Sequence, residues 1–166
     1  GIIVRELERN FLLNCKEMTV VTISDCVEIL GEQTFYNCEI LHTINFGKNV
    51  REIGPRAFIN CYALETLEIP DTLTSLGLRA FNNCTALQSV VLGKDITEIG
   101  SYQFSYCTSL KHITLKSPIT AVGEYAFTEC PSFDKIFCRF SESEWTKPEV
   151  KEGNEAFESA EISFDN

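Results

Sequence analysis

The chain has 166 residues, enough for one domain with a substantial buried core. Its formal net charge of −10 argues against nucleic-acid binding, because such binding depends on lysine and arginine neutralising phosphates. No run of about 18 apolar residues occurs, so the sequence predicts no membrane insertion in this segment. The first residues also lack the basic and apolar regions of a signal peptide.

Six cysteines recur at one fixed interval. Each lies 23 residues after the one before it: Cys15, Cys38, Cys61, Cys84, Cys107 and Cys130. Self-similarity at a constant period of this size is typical of solenoids, in which each repeat stacks on the next to bury its apolar face. The interval therefore predicts a repeat architecture. It also argues against an enzyme, because residues committed to the repeat are not free to build a catalytic pocket.

Cutting the chain at this interval gives one degenerate copy followed by five copies in register. The degenerate copy spans 7–29, and the others span 30–52, 53–75, 76–98, 99–121 and 122–144. We predict about six coils over 7–144 and a C-terminal cap over about 145–166. Together they form a single domain, 1–166, because no linker-like stretch divides the chain.

Three columns of residues recur beside the cysteines. A glycine column predicts either a positive φ or a close approach of the next coil: Gly31, Gly54, Gly77, Gly100 and Gly123. A phenylalanine column, which Leu12 would end, is expected to stack: Phe35, Phe58, Phe81, Phe104 and Phe127. The asparagines before the cysteines are expected to tolerate left-handed geometry and to satisfy nearby backbone groups: Asn14, Asn37, Asn60 and Asn83.

Within each coil the apolar spacing changes from three to two. Phe58, Cys61 and Leu64 recur three apart, which favours a short 3₁₀ or α segment. Leu64, Leu67 and Ile69 then approach the alternation of a strand with one buried face. A second extended segment closes each coil, and we expect successive coils to pair through parallel strands.

The shared frame resembles a known family. It reads I-G-x-x-A-F-x-x-C-x-x-L-x-x-(I/L)-x-I-P, and segment 53–75 follows it almost without departure. This frame is similar to the BspA-like class of bacterial leucine-rich repeats, and residues 141–145, 153–157 and 160–164 resemble its C-terminal capping unit. The resemblance implies an α/β leucine-rich-repeat solenoid, right-handed, with a parallel β-sheet.

The eight cysteines raise the question of disulfides or zinc. No C-x₂₋₄-C pair exists, which argues against zinc. Cysteines stacked in a column have Cβ vectors that run parallel instead of facing, which argues against disulfides. We interpret the six periodic cysteines and Cys138 as buried free thiols, and Cys26, at a turn position, as the only candidate for an exposed thiol.

Catalytic chemistry has little support in the sequence. The two histidines, His42 and His112, occupy different positions of the repeat, and neither belongs to a recognisable nucleophile-base pattern. We predict no catalytic residue, no cofactor and no metal site.

The outward face of the predicted sheet is the best candidate for a functional surface. Alternation sends Leu67 and Ile69 inward, and two columns outward. One column is Thr43, Thr66, Ser89, His112 and Lys135, and the other is Asn45, Glu68, Val91, Thr114 and Phe137. The face is polar and weakly charged, and we predict that Phe137 beside Lys135 dominates binding. Tyr102 and Tyr125 form a second candidate patch. They lie on the edge of the solenoid that carries the glycine column, here called the glycine edge.

The resemblance implies a function as well as a fold. It implies a non-catalytic interaction or adhesion module of a bacterial cell-surface or secreted protein, located outside the cell or at its surface. Its partner would be a host or extracellular-matrix protein, another cell-surface protein or a glycan. The alternative is a structural spacer with no ligand of its own.

Overall fold

The structure, a computed structural model, describes residues 4–165. Two strands per coil alternate along the chain through seven turns. In chain order they are β1 (Glu6–Leu7), β2 (Val20–Thr22), β3 (Ile29–Leu30), β4 (Thr43–Asn45), β5 (Glu52–Ile53), β6 (Thr66–Glu68), β7 (Ser75–Leu76), β8 (Ser89–Leu92), β9 (Glu98–Ile99), β10 (His112–Leu115), β11 (Ala121–Val122), β12 (Lys135–Cys138), β13 (Glu149–Val150) and β14 (Glu161–Phe164). The odd-numbered strands form one side of the solenoid and the longer even-numbered strands form another.

Every strand pair is parallel, as the repeat predicted. On the even-strand side the order is β14-β12-β10-β8-β6, with β2 and β4 as a separate pair. On the odd-strand side β1-β3-β5-β7 and β13-β11-β9 form two sheets. His112, for example, lies opposite Ser89 on one neighbour and Lys135 on the other. The predicted parallel-strand solenoid is confirmed, and each of its two sides is interrupted once.

The helical segment expected in each coil is instead a series of turns. The Cys61 amide donates to Phe58 O in its own coil at 3.3 Å, whereas the Phe58 amide donates to Ala80 O in the next coil at 2.8 Å. Arg56 and Asn60 have φ of 59° and 62°. A residue with positive φ interrupts a helix. An amide that donates to the next coil also cannot form the hydrogen bond of a helix within its own coil. The buried face inferred from the three-residue spacing is therefore confirmed, but the prediction of a short 3₁₀ or α segment is wrong.

The phenylalanine column stacks as expected. All five rings are buried, and their centroid distances are 4.9 Å for Phe35–Phe58, 5.1 Å for Phe58–Phe81, 5.9 Å for Phe81–Phe104 and 5.6 Å for Phe104–Phe127. Leu12 is half-buried at the N-terminal end of the column. Phe157 continues the stack at the other end, 5.4 Å from Phe127, an extension that the 23-residue period did not reveal.

The C-terminal residues complete the last turn of the solenoid. They contain a 3₁₀ turn (Glu142–Glu144), the strands β13 and β14, and the short helix α1 (Glu155–Ser159), which carries Phe157. Asn154, only 1% exposed, accepts a hydrogen bond from the Phe127 amide at 3.1 Å and donates to Gly123 O at 2.8 Å. These bonds join the predicted cap to the coil before it.

The glycine column permits close approach and does not need positive φ. Among residues 4–165 the only glycine with positive φ is Gly153. A Cβ on Gly77 would lie 2.3 Å from Pro55 N, and one on Gly54 would lie 2.7 Å from Glu32 N. The positive φ instead falls two residues after each glycine, at Gln33, Arg56, Arg79, Tyr102 and Tyr125.

The asparagine column forms a hydrogen-bonded ladder. Asn37, Asn60 and Asn83 each donate from Nδ2 to Oδ1 of the asparagine one coil earlier, at 2.9, 2.6 and 2.8 Å. Their φ values of 58° to 62° confirm the left-handed geometry. The side chains join successive coils, however, and do not satisfy local backbone groups, because equivalent amides stack directly over one another.

Gln103 interrupts the odd-strand side. It stands where other coils have Ala57, Ala80 and Ala126, and it is fully buried, with no partner for either amide atom. Beside it, β7 and β9 do not pair. The Gly77 and Gly123 amides each bond the preceding coil, at 2.7 and 2.8 Å, but within the described residues the Gly100 amide makes no such bond. The longer side chain therefore keeps β7 and β9 from pairing, although the Arg79 and Phe81 amides still donate to the next coil at 3.3 and 3.2 Å.

Phe46 marks the interruption on the even-strand side. It stands in the column of Ile23, Ile69 and Leu92, and its ring packs edge-on against Phe58 at 6.2 Å. Here β4 and β6 are neighbours without forming a bonded ladder. Because an aromatic ring needs more room than an aliphatic side chain, we attribute this second gap to Phe46.

The cysteine column is a packing column, as predicted. All eight cysteines are free; Cys38, Cys61, Cys84, Cys107, Cys130 and Cys138 are buried, Cys15 is half-buried and Cys26 is exposed. Each buried thiol of the 23-residue series donates to a carbonyl of the preceding coil, such as Cys61 Sγ to Phe35 O at 3.3 Å. Burial raises the pKa of Cys38 and Cys138 to about 11 and that of Cys130 to about 12.

These pKa shifts predict selective thiol chemistry. We expect a thiol reagent to modify Cys26 rapidly and Cys15 more slowly, and the six buried cysteines only after unfolding. The pKa values of the buried Cys38 and Cys138 thiols in the folded protein lie above the ordinary 9.0. Their contribution to the free energy of unfolding is therefore complete below about pH 9 and is lost as pH rises through about 11. Labelling followed by mass spectrometry tests the first expectation, and rapid labelling of more than two thiols at pH 8 would contradict it. Urea unfolding at pH 8 and pH 10.5 tests the second, and equal stability at the two pH values would contradict it.

Candidate functional site

The even-strand face presents the two predicted columns to solvent in its first half. In β4 and β6 the middle residue is buried and its neighbours are exposed. Thr43, Asn45, Thr66 and Glu68 are accordingly exposed. The alternation deduced from the repeat is correct here, because one residue of register decides which face a side chain occupies.

The second half of the face is more apolar and more tightly packed. Five of its predicted surface residues are half-buried: Ser89, Val91, His112, Lys135 and Phe137. The His112 ring packs edge-on against Phe137, with centroids 5.1 Å apart. This arrangement forms a small aromatic patch with Lys135 at its margin.

Thr114 is the exception among the predicted surface residues. It lies opposite Val91 on one neighbouring strand and Phe137 on the other, and only 7% of its surface is exposed. Its two larger neighbours cover the short threonine side chain. Thr114 therefore contributes to the shape of the patch but offers little surface of its own.

A charged hollow lies beside this face, near the gap between β4 and β6. Lys116 Nζ lies 3.0 Å from Asp71 Oδ1 and 3.7 Å from Glu68 Oε1, and the hollow has a volume of about 390 Å³. The hydrogen bond from Lys116 lowers the pKa of the Asp71 carboxyl. Sequence reasoning missed Lys116 and Asp71, although Lys116 departs visibly from the Gly47, Pro70 and Gly93 of its column.

The even-strand face and the charged hollow beside it offer shape, hydrogen-bonding groups and charge for binding a partner. Among residues 4–165, no group of three or more His, Cys, Asp or Glu side chains converges as a metal site would require. Within the same range no helix has the length and apolar character needed to cross a membrane.

A family model for the BspA-type leucine-rich repeat region matches residues 5–134 in six copies. The chain belongs to the BspA-type leucine-rich repeat family. No curated protein has a significant sequence match to the chain. The repeat solenoid of this family is generally a non-catalytic scaffold.

Solved structures share the fold of this BspA-type chain. A leucine-rich repeat protein of T. pallidum superposes with a TM-score of 0.62 at 21% identity, covering 78% of this chain and 72% of its own. A leucine-rich cell surface protein of Faecalibacterium prausnitzii also has a TM-score of 0.62, at 27% identity, covering 81% of this chain and 43% of its own. A leucine-rich repeat protein of Bacteroides ovatus gives 0.51 at 18% identity, covering 98% and 67%. The present chain thus spans less than half of the F. prausnitzii protein.

The glycine edge of this BspA-type solenoid holds the second predicted patch. The rings of Tyr102 and Tyr125 stack at 5.3 Å. The Arg79 guanidinium lies over the Tyr102 ring, 4.4 Å from its centroid, and the Tyr125 hydroxyl donates to Glu152 at 3.1 Å. The expected tyrosine pair exists, but both faces of Tyr102 are already covered.

An apolar hollow of about 500 Å³ occurs at the first coil. Leu7, Phe11 and Val21 contribute to it. The equivalent positions of interior coils are covered by a neighbouring coil. The hollow is therefore explained by its place at the end of the described stack and not by ligand chemistry.

Proposed function

We propose that the outward even-strand face of this BspA-type domain is a non-catalytic binding surface for a protein at a cell surface or in the extracellular matrix. The observation that carries this proposal is the patch of Val91, His112 and Phe137, partly exposed on a sheet face whose other outward residues in β4, β6, β8 and β12 are polar. Family membership supports it, since solenoids commonly bind partners on extended surfaces.

The patch has the composition of a protein interface. Aromatic residues surrounded by polar groups commonly dominate binding energies, and Phe137 is such a residue. Lys135 stands beside it, and its Nζ lies 3.9 Å from Glu161 Oε2. A rim-exposed pair of this kind contributes more to partner selection than to affinity.

The first half of the face would form the polar margin of the same interface. Thr43, Asn45 and Thr66 have short, exposed side chains, which lose little entropy on binding. Glu68 is paired with Lys116 at 3.7 Å, so this margin carries opposite charges side by side. We infer adhesion as the role of the surface, at the outside of a bacterial cell. The structural similarity to the leucine-rich cell surface protein of F. prausnitzii supports this location.

Paired alanine variants test the proposal. We expect the double variant Lys135→Ala/Phe137→Ala to bind matrix or cell-surface proteins at least about tenfold more weakly, because losing one dominant interface residue costs about 2 kcal/mol. Biolayer interferometry against immobilised host matrix proteins measures this loss. The matched control, Tyr62→Ala/Lys94→Ala, removes an exposed aromatic and an exposed lysine outside the two columns and should bind normally.

The results separate the alternatives. Unchanged affinity in the Lys135/Phe137 variant would place the binding site elsewhere. The absence of binding to matrix proteins, cell-surface proteins and a glycan array would favour the structural spacer.

A further inference from the structure

A groove of about 510 Å³ lies on the glycine edge, in the turns that follow the odd-numbered strands. Residues of successive coils line it, among them Arg56, Leu78, Arg79, Ser101, Tyr102 and Glu124. A volume of this size fits the range of small-ligand sites. The groove thus has room for one or two sugar units or a short peptide segment.

Arg79 is the cation in this groove that is free to bind an anion. Arg56 lies 3.7 Å from Glu32, which also lies 3.5 Å from Arg9, so Arg56 is already shared in an ion-pair chain. Arg79 has no carboxylate within 4.0 Å among residues 4–165, and its guanidinium is held over the Tyr102 ring at 4.4 Å. Stacking occupies one face of the guanidinium and leaves its edge available for a bidentate carboxylate.

The other groups of the groove favour hydroxyls over further charge. Glu32 and Glu124 place a carboxylate among the lining residues on either side of Arg79, and they would repel a ligand with several negative charges. They can instead accept hydrogen bonds from hydroxyls. The Ser101 hydroxyl accepts from the Glu124 amide at 3.2 Å and retains its own hydrogen to donate. Leu78, 58% exposed, offers an apolar surface to the C–H face of a ring.

The groove lies over the interruption created by Gln103. The ideal Cβ position of Gly100 is 2.9 Å from Gln103 Oε1 and 3.6 Å from Leu78 Cδ2, so the buried amide lies next to the groove wall. An unpartnered buried amide costs free energy, and native proteins keep such a cost where it serves a local purpose. On the groove side the two coils stay joined, since the Arg79 amide donates to Ser101 O at 3.3 Å, and the loss of pairing is confined to β7 and β9.

We propose that this groove binds an acidic saccharide, a sugar that carries one carboxylate among several hydroxyls. The carboxylate pairs with the edge of the Arg79 guanidinium, the hydroxyls donate to Glu124 and accept from Ser101, and the apolar ring face rests on Leu78. One unpaired cation matches one carboxylate, and the flanking acceptors match a polyhydroxylated ring. Uronic acids and sialic acids both have this chemistry.

Titration of the ¹⁵N-labelled protein with single sugars tests the proposal. We expect D-glucuronic acid or N-acetylneuraminic acid to shift the amide signals of Leu78, Arg79, Ser101 and Tyr102 saturably at millimolar concentration, and D-glucose to shift them far less. Comparison of the two acids distinguishes the two sources of the carboxylate. Arg79→Gln should weaken binding about tenfold or more, as expected for the loss of a charge-assisted bidentate pair.

A folding argument and a matched control variant allow a loss of binding by Arg79→Gln to be assigned to the groove. Gln33 occupies the position equivalent to Arg79 with φ of 57°, so the Arg79→Gln variant should fold normally. The control Arg51→Gln removes another exposed arginine, one that pairs with Glu28 at 2.8 Å outside the groove, and should leave the affinity unchanged. Equal binding of glucose, no saturable shift with either acid, or unchanged binding by Arg79→Gln would overturn the proposal. Tighter binding of the acidic peptide acetyl-Asp-Ala-Asp-amide would overturn it in favour of a protein ligand.

Discussion

Replacing Phe81 with alanine is expected to lower the free energy of unfolding by about 3–5 kcal/mol. The Phe81 ring is fully buried between Phe58 at 5.1 Å and Phe104 at 5.9 Å. Its removal leaves a cavity inside the stack, and the backbones on both sides are joined by hydrogen bonds that resist collapse into it. In a solenoid each coil contacts mainly its neighbours, so the loss weakens two coil interfaces at once.

Urea unfolding monitored by circular dichroism measures this loss. The control, Tyr62→Ala, removes an aromatic ring that is 38% exposed and should cost far less. Equal losses in the two variants would show that the column does not carry the stability assigned to it.

The second large effect is expected within the glycine column. Gly77→Ala should destabilise the protein by about 1–3 kcal/mol or more, because its Cβ would lie 2.3 Å from Pro55 N and 2.4 Å from Gly54 C. These are backbone atoms of the preceding coil, and they cannot move without separating the coils. Thermal and urea unfolding of the purified variant would measure the loss.

Gly100→Ala is the matched control in the same column. Its Cβ would meet a side-chain atom, Gln103 Oε1 at 2.9 Å, and the nearest backbone atom is Leu76 O at 4.0 Å. Because the Gln103 side chain can rotate away, we expect a change within about 0.5 kcal/mol. A loss as large as that of Gly77→Ala would mean that the two coils beside Gln103 are as close as the others.

The repeat columns explain how much of this structure could be predicted. Cys61, Phe58 and Leu67 lie where the period places them, since every coil repeats the same local environment. The parallel strands and the outward position of Thr66 follow from the same register. A one-dimensional stack makes such assignments readable, because each side chain mostly meets its own equivalents one coil away.

The errors have equally local causes. Three-residue spacing is shared by helices and by the successive turns around Phe58, and only the positive φ of Arg56 and Asn60 separates them. The glycine column was left with two explanations, and contact between coils decides for close approach at Gly77. Thr114 was expected at the surface, but the burial of a short side chain depends on the size of its neighbours on adjoining strands.

Sequence alone determined the period, the family resemblance, the buried columns and the direction in which each strand residue points. Tertiary structure alone decided how closely successive coils approach and what reaches across them. Lys116 reaches Asp71, 45 residues earlier, and Arg79 stacks on Tyr102 beside the gap made by Gln103. The physical reason is that a repeat specifies identical steps, whereas Phe46 and Gln103 are too large or too long for their columns and change the step where they stand.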